Sequence, residues 1–165
     1  VISKLTPKDW INFNDFSTSE KIVPLTLDQG VCGATVCLEG IYSQLFHILH
    51  LQHAEFFILA SNSAWFFQSS AAEKLFTMTL HRAIEFNKYI ICAGNNGISG
   101  IINNKGEFQI APRNKAVTLT GHFKKNTDST LYSKLSGNNS GVFVLLFITF
   151  LIKRFQIRSS ITKSN

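Results

Sequence analysis

The chain has 165 residues, 45% of them apolar, with a formal net charge of +6 and an isoelectric point near 9.4. That apolar share excludes a disordered polyelectrolyte, and the length suits one domain with a real core. Four of the sixteen basic residues, Lys153, Arg154, Arg158 and Lys163, fall in the last thirteen positions with no acid among them, and the rest are scattered. Without a dense basic patch interleaved with aromatics, nucleic acid is not the expected partner.

Residues 1–20 read as irregular and polar, without the basic start and apolar core of a signal peptide. The chain opens on Val1 rather than Met, as a processed chain or a fragment would. "KIVPL" gives a short extended piece, because the residue before Pro24 is pushed out of helical geometry. A turn at "DQG" leads into "VCGATVCL", whose apolar and β-branched residues predict a buried strand.

"YSQLFHILHLQH" places Leu45, Ile48 and Leu49 on one helical face, and "EFFILA" is a second apolar strand. "AAEKLFTMTLHRAIEFN" is the clearest helix, with Phe76, Leu80, Ala83 and Ile84 toward the core and Lys74, Glu85 and Lys88 opposite. "YIICAG" follows as a strand, "GISGIINNKGEFQI" as a hairpin turning on Asn-Asn-Lys-Gly, and "AVTLTGHF" as one further strand. The run Val142 to Ile152 is apolar and stops at Lys153 and Arg154. It is shorter than the roughly 20 residues a full membrane span needs, so it reads as a clipped transmembrane helix, an interfacial anchor or a buried core strand, and its basic stop favours membrane contact with the tail on the cytoplasmic side.

Three cysteines, Cys32, Cys37 and Cys92, form an odd count with no CxxC spacing, so neither a disulfide framework nor a zinc site is signalled. Cys92 sits mid-strand and reads as core. His47, His50 and His53 recur in steps of three, which drift about 60° per step around a helix and give no compact metal-binding face.

Four stretches acquire a joint meaning from their order: "VCLEG" with Cys37 and Glu39, "SNSAWF" from Ser61, "HRAIE" from His81, and "GNNGISGII" from Gly94. Together they resemble the second half of the nitrilase-like domain of apolipoprotein N-acyltransferases. The resemblance implies a Cys-Glu-Lys triad in which a cysteine takes an acyl group from phospholipid as a thioester and passes it to the N-terminal amine of a lipoprotein. By motif, Cys37 corresponds to the nucleophile, Glu39 to a supporting acid and Trp65 to a tryptophan near the acyl pocket. Asn95 and Asn96 fall in a strand-end turn, and Lys21 is the candidate lysine. No cofactor is implied.

The chain departs from the family pattern in three places. Lys21 lies three residues before Pro24 where the pattern has five, Ser63 and Phe67 replace an Asp and a Gly, and the general-base glutamate belongs to a first half that twenty residues before Lys21 do not supply. Two readings follow, an acyltransferase or a catalytically inactive remnant keeping the fold and membrane association.

The expected fold is α+β: a partial nitrilase-like α-β-β-α sandwich over residues 21–138, with a hydrophobic segment and basic tail at 139–165. A half sandwich needs a partner half or a second copy to cover its sheet. The resemblance implies a bacterial inner-membrane location with the nitrilase-like domain periplasmic.

Overall fold

Asp28 and Gln29 make the tight turn that starts the sheet, joining β1 (Leu25–Leu27) to β2 (Gly30–Val36) as an antiparallel pair. Gly30 closes this turn with φ at +125°, a conformation open to glycine, and any side chain there would run into the Glu55 carboxylate. The computed structural model describes residues 21–64, 69–112, 115–136, 141 and 145–154. The expected N-terminal segment 1–20 and Trp65 lie outside them.

Two parallel crossovers build the centre of the molecule. β2 leads through a single 3-10 turn (Cys37–Ile41) and α1 (Ser43–Leu51) to β3 (Phe56–Asn62), and β3 through α2 (Ala71–Phe86) to β4 (Ile90–Asn95). The antiparallel strands β5 (Gly100–Ile102) and β6 (Phe108–Ile110) complete a six-stranded sheet ordered β1 to β6. Both crossovers step the same way along the sheet, so right-handed connections put α1 and α2 on one face.

The core lies between that face and the helices. Phe57 and Leu59 of β3, Ile90 and Cys92 of β4 and Ile102 of β5 pack against Leu45, Phe46 and Leu49 of α1 and Leu75, Phe76, Ala83 and Phe86 of α2. Phe57 meets Phe46 edge-on at 4.8 Å and Phe86 at 6.2 Å, geometry in which aromatic pairs add about 0.5–1.5 kcal/mol beyond area burial. Cys92 is core, as its place in the strand predicts.

The helix faces differ in detail from the sequence reading. Ile84 is 44% exposed and Ile48 is 37% exposed, whereas Lys88, placed on the solvent side, is buried at 1% exposure. The cause is the end of α2. Asn87 adopts the left-handed conformation at φ 54°, the helix stops, and Lys88 is carried to the Asn126 carbonyl instead of onto the next turn.

The hairpin turn falls at Asn103 to Gly106 as expected, with Asn103 Oδ1 accepting the N–H groups of Lys105 and Glu107 and Gly106 at φ 83°. "AVTLTGHF" is not a strand. Residues 115–130 carry no regular structure and form a strap that side-chain contacts fasten to the domain. Phe123 packs on Phe56 at 4.6 Å, the Asn126 N–H donates to the Glu55 carbonyl, and the Asn126 side chain donates to the Asn87 carbonyl.

The strap ends in α3 (Leu131–Leu135), capped by the Thr130 hydroxyl and anchored by Tyr132 on Phe86. Residues 145–154 are helical, and Leu145, Leu146, Phe147 and Phe150 each stay near 60% exposed. Among the described residues no helix is long and apolar enough to cross a membrane.

Candidate active site at the strand ends

Parallel strands end on one side of a sheet, and the crevice outside their carboxyl ends is where open α/β sheets hold ligands. Here that edge carries Cys37 after β2, Asn62 and Ser63 at the end of β3, and Asn95 and Asn96 at the end of β4. The register fixes their order, since Val36 is level with Ala60 and Ala60 with Ala93, and Asn62 is level with Asn95.

Cys37 holds φ at +51°, a left-handed conformation that a residue with a side chain adopts only at a cost of about 1–3 kcal/mol. β2 therefore stops at Val36, two residues before the expected strand end at Leu38, and the chain turns sharply into the 3-10 turn. Two contacts hold that turn. Glu39 Oε2 accepts the Val36 N–H at 2.8 Å, folding the carboxylate back over the elbow. Behind it Gly40 is buried against α2 and β3, where a Cβ would sit 3.0 Å from Thr79 Oγ1 and 3.1 Å from Leu59 Cδ2. Glycine at 40 lets α2 approach the elbow this closely.

Accessibility separates the three thiols. Cys37 is partly exposed, whereas Cys32 and Cys92 are buried, and burial pushes their thiols up to about 11 and about 12. Buried thiols of that kind stay protonated at neutral pH and are inert. Cys37 is thus the cysteine that geometry offers to a reagent.

The asparagines form the other half of the edge. Asn62 Oδ1 accepts the Ala64 N–H at 3.1 Å and Asn95 Nδ2 at 3.4 Å, and the Ser63 N–H donates to the Asn95 carbonyl. Asn96 holds φ at 52°. Ser63 is buried, and a Cβ on Gly97 would stand 2.7 Å from its hydroxyl, so Ser63 fits where the β4 turn comes close. Asn62 was not singled out from the sequence. Its signal is an asparagine at a strand end two residues before a turn N–H, the pattern of a side chain closing its own turn.

Lys21 is exposed and stands before β1. The carbonyl of its neighbour Ile22 accepts Gln52 Nε2 at 2.8 Å, just past the C-terminal end of α1, while the elbow precedes the N-terminal end of that helix. The strand ends bring together Cys37, Glu39, Asn95 and Asn96, and the backbone beside Lys21 is fastened at the far end of α1. Among the described residues no group of three metal-ligating side chains occurs.

Comparisons with known proteins show similarity in both sequence and fold. The chain is 30% identical over 121 residues to the apolipoprotein N-acyltransferase of Geobacter metallireducens, covering 73% of this chain and 23% of that protein. It is 29% identical over 133 residues to that of Pasteurella multocida, covering 80% and 25%. The chain thus spans about a quarter of the length of these curated relatives.

In structure it resembles the carbon-nitrogen hydrolase of Helicobacter pylori, with a TM-score of 0.53 and 19% identity over 59% of this chain and 42% of the other. Nit3 of Saccharomyces cerevisiae, a member of branch 10 of the nitrilase superfamily, gives 0.50 and 16% over 59% and 39%. These likenesses bear on the fold, which is that of the nitrilase superfamily. The sequence profile of the carbon-nitrogen hydrolases matches residues 4–128, most of the chain, and the chain belongs to the carbon-nitrogen hydrolase family.

Proposed function

We propose that the chain carries the nucleophile of an apolipoprotein N-acyltransferase reaction, with Cys37 accepting an acyl group from a phospholipid and passing it to the N-terminal amine of a lipoprotein. The observation that carries this reading is the elbow: a partly exposed cysteine at φ +51°, at the carboxyl end of a parallel strand, with a carboxylate two residues on bonded to the N–H of the residue before it.

Covalent catalysis through a thiolate splits one hard acyl transfer into two easier ones. In the first step the Cys37 sulfur bonds to the ester carbonyl carbon, the ester C–O bond breaks, and the lysophospholipid alkoxide leaves with the proton the thiol gave up. In the second the amine nitrogen bonds to the thioester carbon, the C–S bond breaks, and the proton lost by the amine returns to sulfur. Glu39 supports the elbow through Val36, and Lys21 and Trp65 remain the residues the resemblance assigns to the oxyanion and the acyl pocket. The apolar helix at 145–154 with its basic stop supports a location at the membrane, where phospholipid is found.

Incubation with phospholipid vesicles followed by mass spectrometry of the intact protein tests this. An acyl adduct on Cys37, discharged by hydroxylamine and lost in Cys37→Ser, is expected. A chain that takes up no acyl group would be the inactive member of the family that the sequence departures describe.

A further inference from the structure

The carbonyl that reacts at a thiolate needs a hydrogen-bond donor where its oxygen gathers charge. At the strand ends one side chain is held in a posture to supply it. The Ala64 N–H can only donate, so the Asn62 atom facing it is the oxygen, and this fixes the amide orientation. Asn95 Nδ2 meets the same oxygen from the neighbouring strand. With Oδ1 engaged on two sides, the planar amide turns Nδ2 away from both donors, and among the described residues neither of its protons has a partner. The side chain is exposed at the edge.

Register places the backbone of Asn62 beside that of the nucleophile. Cys37 follows Val36, which is level with Ala60, and Asn62 lies two residues beyond Ala60 on the adjacent strand. One strand spacing and one residue rise separate their backbones, about 6 Å, a gap that an asparagine side chain and a small carbonyl group span together.

We infer that Asn62 Nδ2 is a carbonyl-binding donor at Cys37, holding the oxygen of an acyl or amide group presented to the thiolate, with Asn95 as the residue that orients it. This rests on reading the strand ends as an acyl site, but not on any acyltransferase activity of the chain. The ligand class is a carbonyl compound small enough to lie over the elbow, whether an ester, a thioester or an amide.

The experiment compares two thiol reagents on the full chain. Iodoacetamide carries a carbonyl next to the carbon that sulfur attacks, whereas methyl methanethiosulfonate has none, and both report on the same thiolate. Rates at Cys37 are read by peptide mass spectrometry for the wild type, Asn62→Asp and Asn62→Ala. Asn62→Asp keeps an oxygen for the Ala64 N–H, and so keeps the turn, while removing the donor.

The ratio of the iodoacetamide rate to the methanethiosulfonate rate is expected to fall about five- to tenfold in both variants, the loss of one hydrogen bond, with the thermal midpoint of Asn62→Asp held. Taking the ratio cancels any general slowing of the thiolate by the new carboxylate. An unchanged ratio in Asn62→Asp would assign Asn62 to the turn alone and overturn the proposal, as would a wild-type Cys37 that neither reagent labels. A changed ratio without any phospholipid-derived thioester would keep Asn62 as donor and remove the acyltransferase reading, so the two failures are distinct.

Discussion

At the scale of single residues the elbow is a balance between strain at Cys37 and the contacts that hold it. Glu39 is central because its carboxylate satisfies the Val36 N–H, a donor that the end of β2 leaves without a strand partner. Replacing Glu39 with Ala removes that acceptor and is expected to lower stability by about 1 kcal/mol, the usual range for a lost side-chain cap. Glu39→Gln, which keeps an oxygen at the same place, should recover most of it in a urea titration. Equal losses in the two variants would mean that the carboxylate's charge, not its acceptor, holds the turn. The pairing of Cys37 with Glu39 was legible in "VCLEG", but the direction of the glutamate was not. A sequence shows an acid two residues from a cysteine, whereas whether it faces the thiol or the backbone depends on the left-handed turn at Cys37, and no residue type at that position announces it. Lys21 was out of register with its motif in the sequence, and the contact that fastens the backbone beside it, from Gln52 to the Ile22 carbonyl, comes from a distant helix end.

At the scale of elements, strands and helices were readable where periodicity is strong, as in α2, β3 and β4, and less so where an irregular segment is held by side chains. "AVTLTGHF" has strand composition, yet it runs as part of a strap because Phe123, Asn126 and Thr130 find partners on the domain and the backbone pairs with no strand. Lys88 is the fastening that the helical period hid. Its ammonium donates to the Asn126 carbonyl at 2.5 Å while the residue is 1% exposed. Burial lowers its pKa from 10.5 to about 8, with the Glu55 and Asp128 carboxylates pulling the other way and His50 nearby held neutral. In the unfolded chain the amine keeps its proton up to about 10.5, so between pH 8 and 10.5 the unfolded state binds more protons and stability rises with pH. Below about 8 the desolvation penalty is fully present. The unfolding free energy of the wild type is therefore expected to climb between pH 8 and 10 relative to Lys88→Met, by up to about 3 kcal/mol, with the other titrations common to both cancelling. Parallel curves for the two proteins across that window would show that Lys88 titrates alike in the folded and unfolded chain.

At the scale of the whole molecule, two apolar surfaces stand bare among the described residues, and composition announced both. β2 to β5 contain no charged residue, the pattern of a sheet meant for cover on two faces, yet α1 and α2 lie on one, and Ala34, Val36, Ala60 and Ala93 are exposed on the other. The second surface is the helix at 145–154, whose apolar side chains meet no core residue and whose end carries Lys153 and Arg154. The ten described helical residues reach about 15 Å, half the hydrocarbon thickness of a bilayer, a length that suits contact with a lipid surface. Apolar burial in the headgroup region and attraction of the two cations to anionic lipid act together there, and the charge part weakens with salt. The chain is accordingly expected to float with vesicles containing phosphatidylglycerol. Phe147→Glu with Phe150→Glu should abolish flotation at any ionic strength, because it removes the apolar anchor. Lys153→Glu with Arg154→Glu should weaken it most at low salt, where the Debye length is longest, and by progressively less as salt rises. Flotation that survives the phenylalanine changes would move the lipid contact from this helix to the bare sheet face, the other apolar surface the fold exposes.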